Sequence, residues 1–170
     1  MRRITLLRHA KSDWGNPSLD DFDRPLNQRG TRNLSLIGGR LKSNGLRPSL
    51  ILSSDAMRAI TTARAIAQEI GYPIEFIQQE HELYLAAPST ILAILEREGR
   101  DYNDVMIVGH NPGLTELANY ICTTQIDNIP TCGVFAVDAD IDDWADLAGT
   151  KNTLNFFDYP KKVGSTRQTS

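Results

Sequence analysis

The feature that most constrains this chain is an alternation of short apolar runs with longer stretches of helical periodicity. Residues 4–7, 50–52, 74–77 and 105–108 have the apolar character of short strands covered on both faces, as in a parallel sheet. Between the first two, Leu34, Ile37 and Leu41 share one face of a helix starting near Asn27, although the paired glycines Gly38 and Gly39 weaken its propensity. Asp55 is expected to cap a second helix running through Ile60, Ala63, Ala67 and Ile70 and closed by Gly71. Residues 91–95 fall in a third, ended by Gly99. Asn111 reads as a cap with Pro112 at the first helical position, and Leu114, Leu117, Ala118 and Ile121 follow at the spacing of a core-facing stripe. Residues 133–138 and 154–158 predict two more strands, joined by an acidic excursion around Trp144. The pattern predicts one α/β domain over residues 1–160, with a mostly parallel central sheet and helices on both faces. Residues 161–170 are expected to form a loose polar tail.

Charge and composition exclude several functions. A formal net charge of -3 argues against a general nucleic-acid or membrane-surface binder. The apolar stretch at residues 4–7 is stopped by Arg8, short of a secretory core, and no window approaches a membrane span. Cys122 and Cys132 form no CxxC pair and have no ligand histidine near them, so reduced thiols and a cytoplasmic location are expected. No cluster of acids and histidines has metal-ligand spacing, and neither a metal nor another cofactor is expected. Against this background the first eleven residues carry Arg2, Arg3, Arg8 and Lys11 with no acid among them.

Polar residues collect where strands end. Arg8 and His9 follow the first strand, Ser53, Ser54, Asp55 and Arg58 the second, and Gly109, His110 and Asn111 the strand at 105–108. In an open α/β sheet the carboxyl ends of parallel strands share one edge, where ligands bind. Two of the three clusters also run into helix N-termini, whose free N–H groups favour anions. A histidine at a strand end is ordinarily a hydrogen-bonded structural residue, yet two of only three histidines in the chain fall on this edge. Arg58 in the first turn of a helix opposes the macrodipole by roughly 0.3–1 kcal/mol. A carboxylate such as Asp55 would hold it there, and a bound phosphate would account for Arg8 and Arg58 together. His81 has no such context and reads as a surface residue.

These residues carry a resemblance. Leu7-Arg8-His9-Ala10, the segment from Ser53-Ser54 to Arg58-Ala59 with Thr62-Ala63, and Gly109-His110-Asn111 resemble the signatures of the histidine phosphatase superfamily. The chain is most similar to the short SixA-type phosphohistidine phosphatases, to which Arg24-Pro25-Leu26, Arg29-Gly30 and Leu83-Tyr84 also correspond. The resemblance implies a phosphoglycerate mutase-like fold. Ala10 stands where the family usually has glycine, and Asn16 lies one residue beyond the position of the mutases' asparagine, while Ser12 keeps its place.

By this resemblance the Nε2 of neutral His9 attacks phosphorus, giving a phosphohistidine intermediate that water hydrolyses, with Nδ1–H held by a backbone carbonyl. Arg8, Arg58 and His110 would stabilise the phosphoryl oxygens, and Ser12 would help to bind them. Glu82, just before Leu83-Tyr84, is the expected general acid, with Glu80 as the other candidate. The implied substrate is a phosphohistidine on a partner protein, or alternatively a small phosphorylated molecule. A mutase-like enzyme would need more chain between Arg58 and His110 than the roughly fifty residues present to enclose its substrate. A non-catalytic phosphoprotein-binding module on the same fold would not need His9.

Overall fold

In a computed structural model describing residues 1–162, the first strand, β1 (Arg2–Arg8), lies inside a six-stranded sheet. β2 (Leu50–Ser53), β3 (Gln78–Gln79) and β4 (Asp104–Gly109) join it in the order β3-β2-β4-β1, all parallel. The sheet is completed by β5 (Val134–Ala139), antiparallel to β1, and β6 (Thr153–Asp158), antiparallel to β5. Alternation along each strand sends side chains to two cores. Ile4, Leu6, Leu52, Val105 and Ile107 face one core, covered by α3 (Pro88–Glu98), α4 (Gly113–Ile121) and the buried Trp144. Leu7, Ile51, Met106 and Val108 face the other, covered by α1 (Gln28–Ser43) and α2 (Met57–Ile70). The fold is thus the α/β architecture expected, helices on both faces of a mostly parallel sheet. Beyond residue 162 the expected polar tail lies outside the described residues.

Local signals explain most boundaries. Asn27 caps α1 by accepting a hydrogen bond from the Gly30 amide at 2.8 Å. Gly71 ends α2 in the left-handed conformation at φ 83°, which glycine adopts without a Cβ clash. Other expectations need correction. Residues 74–77 do not form a strand: Ile74–Phe76 is a 3-10 turn, and β3 begins at Gln78, opposite Leu52. Ile74 and Phe76 are solvent-exposed, so this apolar run was not a buried one. Asp55 does not cap α2, which starts at Met57 with no side-chain cap. Asn111 accepts from the Thr115 amide at 3.1 Å, but α4 begins at Gly113, one residue later than expected, so Pro112 and not Asn111 holds the cap position. Trp144 is an anchor within the acidic excursion, its indole N–H donating to the Gly99 carbonyl at 2.8 Å.

Two close approaches seat the loops above the sheet. A Cβ on Gly30 would lie 2.2 Å from the Lys11 carbonyl oxygen, and one on Gly113 would lie 1.9 Å from that of Ala86. Glycine at these points lets α1 press on the loop after β1 and α4 on the segment before α3.

Candidate active site

The parallel register assembles the site. Arg8 is opposite Gly109, the His9 amide donates to the Gly109 carbonyl at 3.1 Å, and the Ser54 amide donates to that of Val108 at 3.0 Å. The backbone therefore brings the ends of β1, β2 and β4 to one edge, and the rings of His9 and His110 lie 5.2 Å apart. Above them is a cavity of about 290 Å³ lined by these histidines and by Arg8, Lys11, Arg24 and Arg58. Ser12, Asn111 and Thr131 complete its polar wall, with Trp14 and Leu85 at the margin.

His9 is buried, with its Nδ1 2.7 Å from the Ala10 carbonyl oxygen. A carbonyl only accepts, so Nδ1 carries the hydrogen and Nε2 keeps its lone pair. Burial, reinforced by Arg58, Arg8 and Arg24 and opposed by the Ala10 bond, lowers the imidazole pKa to about 4. It is neutral at pH 7, which is the nucleophilic form.

His110 is lowered further, to about 3, by burial and then by His9 and Arg58. Its Nε2 is 2.8 Å from the Ser54 hydroxyl, which already accepts from the Ala56 amide at 3.2 Å. Either group can donate in that contact, since a hydroxyl accepts through two lone pairs, and Nδ1 of His110 is buried with no hydrogen-bond partner among the described residues. A buried polar nitrogen without a partner costs about 1–3 kcal/mol whichever tautomer is present.

Arg58 is held by a carboxylate, as one of the two expectations had it, but by that of Asp21 and not the nearer Asp55. It donates to the Asp21 carbonyl at 2.7 Å and to its carboxylate at 2.9 Å, while Asp55 pairs with Nδ1 of the exposed His81 at 3.0 Å. Arg24 donates to the same Asp21 carboxylate at 2.9 Å and to the Ser12 hydroxyl, and its guanidinium lies 3.5 Å from the Trp14 ring centre. Burial opposes ionisation of Asp21, but donors from Tyr84, Arg24 and Arg58 hold its carboxyl well below the usual range. Among the described residues Arg8 has no carboxylate partner: it donates to the Ile129 carbonyl at 2.9 Å, and burial and Arg58 lower its pKa.

The structure brings together His9, Arg8, Ser12, Arg58 and His110, and leaves out the expected acid. Glu82 is 64% exposed on its side chain, held at 3.4 Å by Arg97, and does not line the cavity; nor does Glu80, which Arg97 binds at 3.1 Å. The 3-10 turn His81–Leu83 buries Leu83 and turns Glu82 outward. Asn16 also lies outside, its side chain accepting from Ser18. Sequence reasoning missed Asp21, Arg24 and Trp14 as site residues, because they lie in a segment between β1 and α1 with no periodicity to place them. The motif Arg24-Pro25-Leu26 was the available signal. Among the described residues no group of three or more His, Cys, Asp or Glu side chains is placed to hold a metal ion, and no helix is long and apolar enough to cross a membrane.

The cavity sets guanidinium groups beside a neutral imidazole, an arrangement that suits a phosphate-sized oxyanion. Known proteins agree with this. The profile of the histidine phosphatase superfamily (branch 1) matches residues 4–87. An uncharacterized chloroplastic protein of Arabidopsis thaliana is 33% identical over 151 residues, covering 84% of this chain and 69% of its own. The SixA protein of Agrobacterium tumefaciens, assigned by name as a phosphohistidine phosphatase, superposes with a TM-score of 0.76 at 30% identity over 94% of this chain and 99% of its own. A SixA protein histidine phosphatase complexed with tungstate has the same fold, with a TM-score of 0.76 at 20% identity over 93% and 97% of the two chains. Fold and pocket together define a phosphatase. The chain belongs to the histidine phosphatase superfamily.

Proposed function

We propose that this enzyme removes phosphate from phosphohistidine on a partner protein, through a covalent intermediate on His9. The reading rests on one observation: a neutral imidazole with a free Nε2 sits among four cationic side chains in a cavity that no carboxyl group lines. Nε2 attacks phosphorus in line with the departing nitrogen, the P–N bond to the substrate ring breaks, and the phosphoryl group is left on His9. Water then attacks that phosphorus, releasing inorganic phosphate and regenerating the neutral ring. Arg8, Arg58 and His110 support charge on the equatorial oxygens throughout.

The leaving group decides between substrates. A phosphohistidine ring protonated on its other nitrogen departs as neutral imidazole, whose conjugate acid has a pKa of about 6.5. An alkoxide is far more basic and departs poorly without a positioned acid, and Glu82 does not supply one here. The names of the SixA relatives accord with this reading. Cys132, beside the site in sequence order, is not a rival nucleophile, since burial pushes its thiol up to about 12. Two buried, unpaired cysteines also fit the cytoplasm as the proposed setting.

Comparing kcat/KM for a phosphohistidine protein with that for alkyl phosphomonoesters tests the substrate. An advantage of at least about tenfold, roughly 1.4 kcal/mol, is expected. Rapid quenching should trap acid-labile, base-stable phosphate on His9, and His9→Ala should abolish turnover. Preference for a sugar or nucleotide phosphate would replace the assignment with that of a small-molecule phosphatase.

A further inference from the structure

A second cavity, of about 210 Å³, adjoins the first, and Lys11 and Thr131 line both. Its remaining polar wall is Arg29, Asn33 and Lys161, and its apolar wall is Pro130, Tyr159 and Pro160. Among the described residues no carboxylate pairs with Lys11, Arg29 or Lys161. Arg29 is also the second residue of α1, where a cation opposes the helix macrodipole just as Arg58 does in α2. In α2 the carboxylate of Asp21 offsets that cost; in α1 no carboxylate among the described residues does.

The wall is anchored. Arg40 donates to the Asp158 carboxylate and to the Tyr159 carbonyl, both at 3.1 Å, which fixes the chain that carries Tyr159 and Lys161. The Gly30 contact with the Lys11 carbonyl fixes the position of Arg29 relative to the loop after His9. Three cations, none paired with a carboxylate among the described residues, thus line a cavity that shares Lys11 and Thr131 with the phosphoryl site.

We infer that this cavity is a second anion subsite, which takes an acidic side chain flanking the phosphohistidine of the partner protein. The walls favour a protein-borne carboxylate over a second phosphate: Pro130, Pro160 and Tyr159 suit the methylenes of a glutamate while its carboxylate meets Arg29 and Lys161. The inference rests on the phosphohistidine reading for its source, and on the cavity alone for its charge.

The test compares phosphohistidine peptides carrying Glu, Ala or Lys beside the phosphorylated residue. Wild type is expected to have a KM at least about fivefold lower for the Glu peptide than for the Ala peptide, within the range of one or two partly exposed charge contacts. Arg29→Ala with Lys161→Ala should abolish that preference, and Arg29→Glu with Lys161→Glu should favour the Lys peptide. Lys42→Glu, at the far end of α1, should leave the preference intact, which separates the subsite from the overall field. All variants should hydrolyse the Ala peptide with unchanged kcat. Equal KM for Glu and Ala peptides in wild type would overturn the subsite while leaving the phosphohistidine reading standing. Failure to turn over any phosphohistidine peptide, together with tighter use of phosphoesters bearing a pendant carboxylate, would overturn the protein source.

Discussion

β1 carries an arginine near each end, and the two have opposite surroundings. Arg3 donates to the Asp138 carboxylate at 2.8 Å, with Asp104 beside it across the β1–β4 pair, and these acids raise its pKa. Arg8 meets only the Ile129 carbonyl, lies near Arg58, and has its pKa lowered by burial. Both are half-buried guanidinium groups on one strand, so the difference is not one of residue type or secondary structure. At the amino end of the strand the chain provides Arg3 with a counter-charge; at the carboxyl end Asp21 serves Arg24 and Arg58, and no described carboxylate pairs with Arg8. A half-buried cation without a carboxylate destabilises the free protein, and that deficit is offset when an anion binds. On the proposed function, the lack of a carboxylate partner among the described residues fits Arg8 as ligand-directed, whereas the pair at Arg3 is a structural contact.

Removing the two arginines separately is the strongest way to break this comparison. Arg8→Met is expected to lower kcat/KM by roughly 10²–10³, about 2.7–4 kcal/mol of transition-state stabilisation, with a Tm unchanged or raised. A fall in Tm of several degrees with activity retained would place Arg8 beside Arg3 as a structural residue. Arg58→Ala is not an equally clean probe, because it also releases Asp21.

The two edges should also respond oppositely to acid. His9 and His110 have folded pKa values of about 4 and about 3, below the unfolded value, so the unfolded chain takes their protons first. Their stability contribution is full above about 6.5 and is lost as pH falls toward about 4. Asp104 is the reverse: burial raises it to about 6, helped by Asp138 and opposed by Arg3, so it favours the folded state as pH falls from about 6 toward 3.8. Asp104→Asn should therefore be more stable than wild type at pH 7, on the order of 1–2 kcal/mol after allowing for partial exposure. It should lose that advantage by pH 4. Urea unfolding at both pH values checks the sign, and an advantage that grows at pH 4 would refute it.

Arg3→Ala sharpens the contrast at a smaller scale. The pair with Asp138 is partly exposed on both sides, so about 0.2–1 kcal/mol of stability is expected to go. Turnover should be untouched, since Arg3 lies at the other end of the strand from the cavity.

The same contrast shows what the sequence made legible. Strand ends followed by polar residues located His9, Ser54, Arg58 and His110, because backbone register brings such positions to one edge whatever the details of packing. The counter-charges were not legible. Asp21 reaches Arg58 across thirty-seven positions of chain, and Asp55, three residues from Arg58, was the better guess on local grounds alone. The short-range rule failed because the helix starts at Met57, leaving Asp55 outside its first turn and turned toward His81. Residues 74–77 misled for a related reason: apolar composition signals a strand only when burial follows, and Phe76 is 66% exposed.

Glu82 gives the smallest expected effect and the most direct check on the missing acid. Its side chain is 64% exposed and, among the described residues, reaches only Arg97, at 3.4 Å. An exposed pair of that length contributes little to stability, and a carboxylate turned away from the cavity has no path to a leaving group without moving the turn that buries Leu83. Glu82→Gln should therefore change kcat/KM by less than about twofold, within roughly 0.4 kcal/mol, for phosphohistidine and alkyl phosphate substrates alike. If Glu82 acted as the acid, the ester rate would collapse and the phosphohistidine rate would hold, because only the alkoxide needs the proton. The ratio of the two effects is thus more informative than either rate. A ratio near one leaves the cavity without a carboxyl acid, which is the condition that makes imidazole the favoured leaving group.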